Sequence, residues 1–276
     1  VPLTKSYTID TNTTNIKQSS YPHVSNFRSH KAECPTLKDL FPKLVAHSQK
    51  GHCLLKGKLN RELSFTPRAG STQSNDTTDW VCFDLDGAPF ATPDAFMSGH
   101  PILKDLNYIV QYSASHGLGK PGLRCHIFIM LSAQYNVSYL KSWLMALNLD
   151  GKLWGGAVRK ALTLSNSGGA IHWPIDITSC QNDKLLYIAP AHVAKDVPYT
   201  QPIPAIQYVA KSKPTLDIKL LNNQNIEVWK KEQKAVLNAM RKDAGLSAVR
   251  ATKLIKEYEV QGNPGEATIT EMWEDE

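Results

Sequence analysis

The apolar run Trp80-Val81-Cys82-Phe83 gives way to Asp84-Leu85-Asp86-Gly87, a pattern that predicts a strand closing in a glycine turn. Two more apolar stretches, Tyr108 to Ser113 and Leu123 to Leu131, read as strands of a long hairpin joined by the glycine-punctuated loop 115–122. In the second, Arg124, His126 and Phe128 fall on one face and Cys125, Ile127 and Ile129 on the other. Ile171 to Asp176 and Leu185 to Ala189 are expected to pair with each other, turned by Cys180 to Lys184. A short strand is expected at Cys53 to Leu55, and another strand or an extended connection from Leu59 to Phe65.

Helical spacing takes over elsewhere. Leu37, Leu40, Phe41, Leu44 and Val45 line one side of a helix that Thr36 caps and that runs to about Ser48. Tyr139, Leu140, Trp143, Leu144 and Leu147 do the same after a cap at Asn136 or Ser138. Lys152 to about Leu164 reads as a further helix, stopped by Ser167-Gly168-Gly169, and Pro101 to Leu106 as a short one. The pattern predicts an α+β chain with an extended, polar arm at 1–35 and a sheet-bearing domain at 36–210. A small helical appendage at 211–265, built from helices Ile226 to Met240 and Ser247 to Tyr258, and an acidic, disordered tail at 266–276 complete it.

Composition narrows the class. The 276 residues are 42% hydrophobic and 20% charged, enough to bury a full core. No apolar run reaches the roughly 18 residues that span a bilayer, and no leader pattern opens the chain, so a cytoplasmic protein without a membrane partner is expected. Five scattered cysteines with no Cys-x-x-Cys pair fit reduced thiols, with Cys82 and Cys125 as small hydrophobes within strands. The net charge is +6, and residues 1–75 hold eleven Lys and Arg against four Asp and Glu. Such a basic third suits a phosphate backbone or is simply a solvated face.

Chemistry concentrates at Asp84 and Asp86. Two residues apart on a strand, they project from the same face with Cβ atoms about 7 Å apart, and their carboxylates repel unless a cation lies between them. A hard divalent ion such as Mg²⁺ or Mn²⁺ suits that pair and brings phosphate chemistry with it. Arg124 and His126 are two polar residues on one face of an otherwise buried strand, either hydrogen-bonded core residues or an anion-binding face. Arg68, in the turn-rich stretch before the acidic strand, is a phosphate ligand or an ordinary surface arginine.

The ordered stretches WVCFDLDG, SASHGLGKPGLRCHIFIML and PIDITSCQNDKLLYIAP resemble the archaeo-eukaryotic primase superfamily, in particular primase-polymerase domains of phages, plasmids and other mobile elements. The resemblance runs from about Leu54 to Pro190, and it departs from the family pattern where Arg124 replaces a small residue two before His126. It implies an RRM-like, mixed-to-antiparallel catalytic sheet flanked by helices, with Asp84, Asp86 and Asp176 as catalytic ligands of Mg²⁺ or Mn²⁺. His126, Arg124, Ser115 and Lys184 would then contact the incoming nucleotide, and Arg68 the nucleic acid. The implied partners are a single-stranded DNA template, NTP or dNTP, and a replicative helicase supplied by a further domain or a separate protein. The activity implied is primer synthesis. A metal-dependent nuclease or relaxase-like initiator is an alternative, weakened by the absence of His-x-His, and a non-catalytic single-stranded DNA-binding module is another.

Overall fold

The computed structural model describes residues 2–10, 12–13, 15–199, 202, 204–218, 223–249, 253–255 and 272–274. In chain order they form β1 (Ser6–Ile9), β2 (Ile16–Ser19), β3 (Asn26–Arg28), α1 (Leu37–Gln49), β4 (Cys53–Leu55), β5 (Ser64–Pro67), β6 (Thr78–Ala88) and α2 (Pro93–Ser98). Next come β7 (Tyr108–Tyr112), β8 (Leu123–Tyr135), α3 (Val137–Leu149), α4 (Ala157–Lys160), β9 (Thr163–Leu164), β10 (Ile171–His172) and β11 (Leu185–Tyr187). The chain continues with β12 (His192–Val193), β13 (Ile206–Val209), β14 (Thr215–Leu216), α5 (Asn223–Asp243), β15 (Lys253–Ile255) and β16 (Met272–Glu274). The class is α+β with largely antiparallel sheets.

The chain divides into two units, Val1–Thr163 with His172–Gln233, and Leu164–Ile171 with Lys234–Glu276. In the first, the 13-residue strand β8 organises the main sheet. Antiparallel β6 flanks one edge of β8 from Leu123 to Tyr135, while β7 takes the other edge from Cys125 to Phe128. The short parallel strand β14 continues that second edge at Met130 and Leu131, and β13 pairs outside β7.

The sheet has two faces of different character. Phe83 touches Phe96 of α2 and Trp143 of α3, with ring centroids 5.5 and 5.6 Å apart, so the two helices cover the wholly apolar face. On the other face α1 packs Leu37 and Leu44 over Cys82, Ile109, Phe128 and Met130. Its start is fixed by a capping box, in which Thr36 accepts from the Asp39 N–H and Asp39 accepts from the Thr36 N–H. That helix covers only half of its face. The other half carries Asp84, Asp86, Arg124, His126 and Gln111.

Several expectations are corrected. Residues 1–35 are not a loose arm: β1 pairs with β2 and, in parallel, with β12, and Tyr7 is buried against Leu118 and Val197. β11 pairs with β4 rather than with residues 171–176, because residues 174–176 run instead along the free edge of β6. The helix expected from Lys152 is broken at Trp154, whose φ of 49° and following glycines at 61° and 78° lie in the left-handed region. Trp154 stacks on Phe96 and donates from Nε1 to its carbonyl at 2.7 Å, which holds the kink. The short helix near Pro101 lies earlier, beginning at Pro93, where a first-turn proline sacrifices no hydrogen bond.

In the second unit, Arg241, in the last turn of α5, donates to the carbonyls of Gly168 and Ser247. The expected helix from Ser247 is replaced by coil at Ser247–Val249 and by β15, which pairs with β16. The tail predicted at 266–276 therefore contributes a strand at Met272–Glu274; its other residues lie outside the described ones. Among the described residues, no helix is long and apolar enough to cross a membrane.

Candidate active site

The alternation of β6 and β8 sets two cross-strand rows. Asp84 lies opposite His126 and Asp86 opposite Arg124, while Gln111 of β7 lies on the far side of His126. Residues 174–176 then extend the rows outward, since Asp86 N–H donates to Pro174 O at 3.1 Å and Asp176 N–H to Asp84 O at 2.9 Å. Asp176, distant in sequence, thus joins Asp84 and Asp86 on one half of one sheet face. Proline at 174 offers only a carbonyl, which is what the β6 edge takes there.

Each carboxylate has its own basic partner. Arg124 Nη1 forms an ion pair with Asp86 Oδ1, and His172 Nε2 lies 3.2 Å from Asp86 Oδ2. His126 Nε2 lies 3.4 Å from Asp84 Oδ1. Lys184 Nζ donates to Asp176 Oδ2 and to Thr178 Oγ1, both at 2.9 Å. In this arrangement no three His, Cys, Asp or Glu side chains among the described residues gather as a ready ligand set.

Gln111 sets the ring of His126. Its amide nitrogen is committed to the Tyr112 carbonyl, so Oε1 must accept, and His126 Nδ1 donates to it at 2.6 Å. Nε2 is thereby turned to Asp84. Burial opposes charge on the Asp84 carboxyl, yet His126, through charge and hydrogen bond, with Lys184 and Lys5, holds it below the ordinary carboxylate value. Burial likewise opposes the charge on Lys184, and Asp176 and Asp84 outweigh it to raise the amine above its usual value. Burial lowers Lys5, aided by repulsion from Lys120 and Arg124.

Other residues hold the frame. Asn148, fully buried at the end of α3, donates to the Ile175 carbonyl at 2.9 Å and accepts from the Ile175 N–H at 3.1 Å, clamping the residue before Asp176. Ser179 Oγ donates to Cys82 O at 2.7 Å and ties the turn after Asp176 to β6. Gly87 and Gly122 cross where β6 and β8 begin to separate; a Cβ on Gly122, at φ 78°, would come within 2.7 Å of the Gly87 backbone.

Beside Lys184 lies an open groove of about 330 Å³ lined by Arg68, Gln181, Asp183, Lys184, Leu185 and Tyr187. Arg68, Leu185 and Tyr187 also line a neighbouring groove of about 470 Å³, with Tyr21, His23 and Phe27. Tyr21 stacks on Tyr187 with centroids 3.8 Å apart and planes 13° from parallel, and Lys5 Nζ lies 5.0 Å from the Tyr21 centroid. Arg68 donates to Asp183 O, while its buried Nε has no hydrogen-bond partner among the described residues; the same is true of Arg124 Nε.

Of the residues singled out from sequence, Asp84, Asp86, Asp176, His126, Arg124 and Lys184 are brought together. Arg68 stands at the groove and not at a carboxylate. Ser115 is buried in the 113–116 turn, where its hydroxyl lies 3.3 Å from that of Ser113. Sequence reasoning missed Gln111, Asn148, His172 and Lys5. Gln111 and Asn148 had a legible signal, a single amide inside an otherwise apolar strand or helix end, but Lys5 and His172 had none. No protein-family model, no curated protein and no solved structure matches the chain.

Proposed function

We propose that this chain is a template-directed primase-polymerase that makes primers on single-stranded DNA from nucleoside triphosphates, in a member of the archaeo-eukaryotic primase superfamily. The observation that carries the reading is that Asp84, Asp86 and Asp176 share one half-face of the sheet, with His126, Arg124 and Lys184 interleaved. An enzyme that moves a nucleotidyl group needs hard oxygen donors next to fixed positive charge, and this half-face has both. The sheet, with helices on both faces, agrees with the RRM-like core that the resemblance implies.

The donor set fits Mg²⁺ or Mn²⁺ in chemistry, since all three acids offer oxygen and Asp86, at 47% side-chain exposure, is open to solvent. Asp84, Asp86 and Asp176 would hold the ion once Arg124 and Lys184 turn toward the triphosphate. Bound there, it supplies Lewis acidity to the attacking hydroxyl and charge neutralisation to the phosphates. The chain's own groups do the rest: Lys184 and Arg124 orient phosphate oxygens, and His126, fixed by Gln111, presents Nε2 to the same face. The neighbouring groove, with its tyrosine stack, receives bases.

A non-catalytic single-stranded DNA-binding module is the second reading, favoured by one observation: every carboxylate already has a basic partner. Primer synthesis on single-stranded DNA, with labelled nucleotides, Mg²⁺ or Mn²⁺ and no supplied primer, separates the two. Short products from the native protein, lost in a folded Asp84→Ala/Asp86→Ala variant, support the enzyme. Binding without synthesis under every metal condition supports the module.

A further inference from the structure

Phe65 combines two costs at one position. Its φ of 57° lies in the left-handed region that a bulky side chain rarely adopts, and its ring is 70% exposed. A glycine there would avoid both. The register explains how the strain arises: β3 pairs with β5 at Asn26–Pro67 and Phe27–Thr66, then slips so that Arg28 faces Ser64, leaving Phe65 as the extra residue of a bulge.

The ribbon on which it sits is anchored on either side. Leu63 is buried, and its N–H and carbonyl bond to the hydroxyl and N–H of Ser29 at 2.9 Å each. Arg61 reaches across to Thr66 Oγ1 at 3.2 Å and Pro67 O at 2.8 Å. With both flanks held, the bulge turns the phenyl ring to solvent. The Arg28 guanidinium lies over that ring, 5.4 Å from its centroid.

An outward aromatic ring among arginines has one natural partner class. The phosphates of a single strand pair with guanidinium groups, and an unpaired base offers a flat face to the ring. Arg28, Lys58, Arg61 and Arg68 lie on or beside this ribbon, against Glu62. Phe27, Pro67 and Arg68 of the same ribbon line the groove that reaches the Tyr21–Tyr187 stack.

We propose that Phe65, flanked by Arg28, is a base-stacking platform that guides single-stranded nucleic acid into the groove, an assignment that rests on the nucleic-acid reading above. The backbone strain is retained because it aims the ring outward, where packing gains nothing from it.

The test measures affinity for labelled oligo(dT) and for an abasic oligomer of equal length and charge, at one fixed salt concentration, using the native chain and Phe65→Ala. The native chain is expected to prefer oligo(dT) by more than tenfold, and Phe65→Ala to lose about tenfold of that preference while binding the abasic strand as before. Equal affinity of both proteins for oligo(dT) would overturn the platform and leave the proposed function standing. No binding by the native chain to either strand would overturn both. Phe65→Gly supplies a check on folding: relieved of strain, it is expected to match or exceed the native Tm while binding oligo(dT) as weakly as Phe65→Ala. A Tm several degrees lower would show that the ring serves packing and overturn the assignment.

Discussion

Lys56 is a lysine in a core, and replacing it by methionine is expected to stabilise the protein at neutral pH. The side chain is 2% exposed, with Nζ 3.0 Å from Thr78 Oγ1 and 4.0 Å from the Trp80 ring centroid. Burial pushes its pKa down from 10.5 to about 8, with Cys180, Cys82 and Asp79 pulling weakly the other way. That difference corresponds to about 3 kcal/mol of penalty on the charged amine at pH 7. The contact with Trp80 and the hydrogen bond to Thr78 return about 1 kcal/mol each. Lys56→Met fills the same volume and removes the charge, so a net gain of about 1 kcal/mol remains. Thr78 Oγ1 keeps a second partner, the Trp80 carbonyl at 3.3 Å.

The pH dependence follows from the same pKa. Between about pH 8 and 10.5 the unfolded chain holds a proton on Lys56 that the folded chain has released, so native stability rises with pH across that window. The advantage of Lys56→Met is therefore full below about pH 8 and is lost within that window, since the penalty that the native chain sheds there exceeds the net gain. Urea unfolding followed by tryptophan fluorescence at pH 7 and pH 10 measures both. A variant less stable than the native chain at pH 7, or a difference that does not change with pH, would refute the reasoning.

Three further predictions concern the site. Asn148→Ala strips both partners from Ile175 and is expected to cost about 3 kcal/mol of stability; urea unfolding reads it, and a loss under about 1 kcal/mol would show that the clamp is dispensable. Lys184→Met removes the partner of Asp176 and is expected to raise the nucleotide KM about tenfold with a smaller change in kcat; a pure kcat effect would contradict the phosphate-orienting role. The Asp84 carboxyl is held below its ordinary value of 3.8, so its ionised form contributes stability above about pH 4 that is lost as pH falls through the lower folded value. Acid unfolding of Asp84→Asn should lack that contribution, and an acid transition identical to the native one would rule out the favourable pairing.

Much of the main sheet was legible because alternation within a strand is a local property. Asp84 with Asp86, and Arg124 with His126, follow from period-two spacing alone, as do the apolar positions Cys125, Ile127 and Ile129. Cap chemistry placed α1 and α3 for the same reason, through Thr36 and Asn136. What failed was pairing at long range. That β4 takes β11, or that β1 takes β12, depends on which edges remain free after the main sheet forms, and no spacing within Cys53–Leu55 or Ser6–Ile9 states it. The break at Trp154 was likewise decided by a distant ring, Phe96. Asp176 was singled out with a mistaken strand partner; its place beside Asp84 depends on Asn148 and on the β6 edge.

The pairing of Ser6 with His192 also sets a schedule for synthesis. Thr4 bonds to the carbonyl of Ala189, 185 positions later, so β1 waits for all the intervening residues to be made before it meets β12. Strands β6 to β8 complete long before that, which exposes Asp84, Asp86 and Arg124 on the nascent chain. Asp176 joins next, and Lys5, Tyr7 and Tyr21 reach the charged face last, once residues 189–193 leave the ribosome. Asp84 and Asp86 are thus seated on the paired β6 and β8 before β1 finds β12, and a stall in translation before residue 189 would leave a nascent chain without that last pairing.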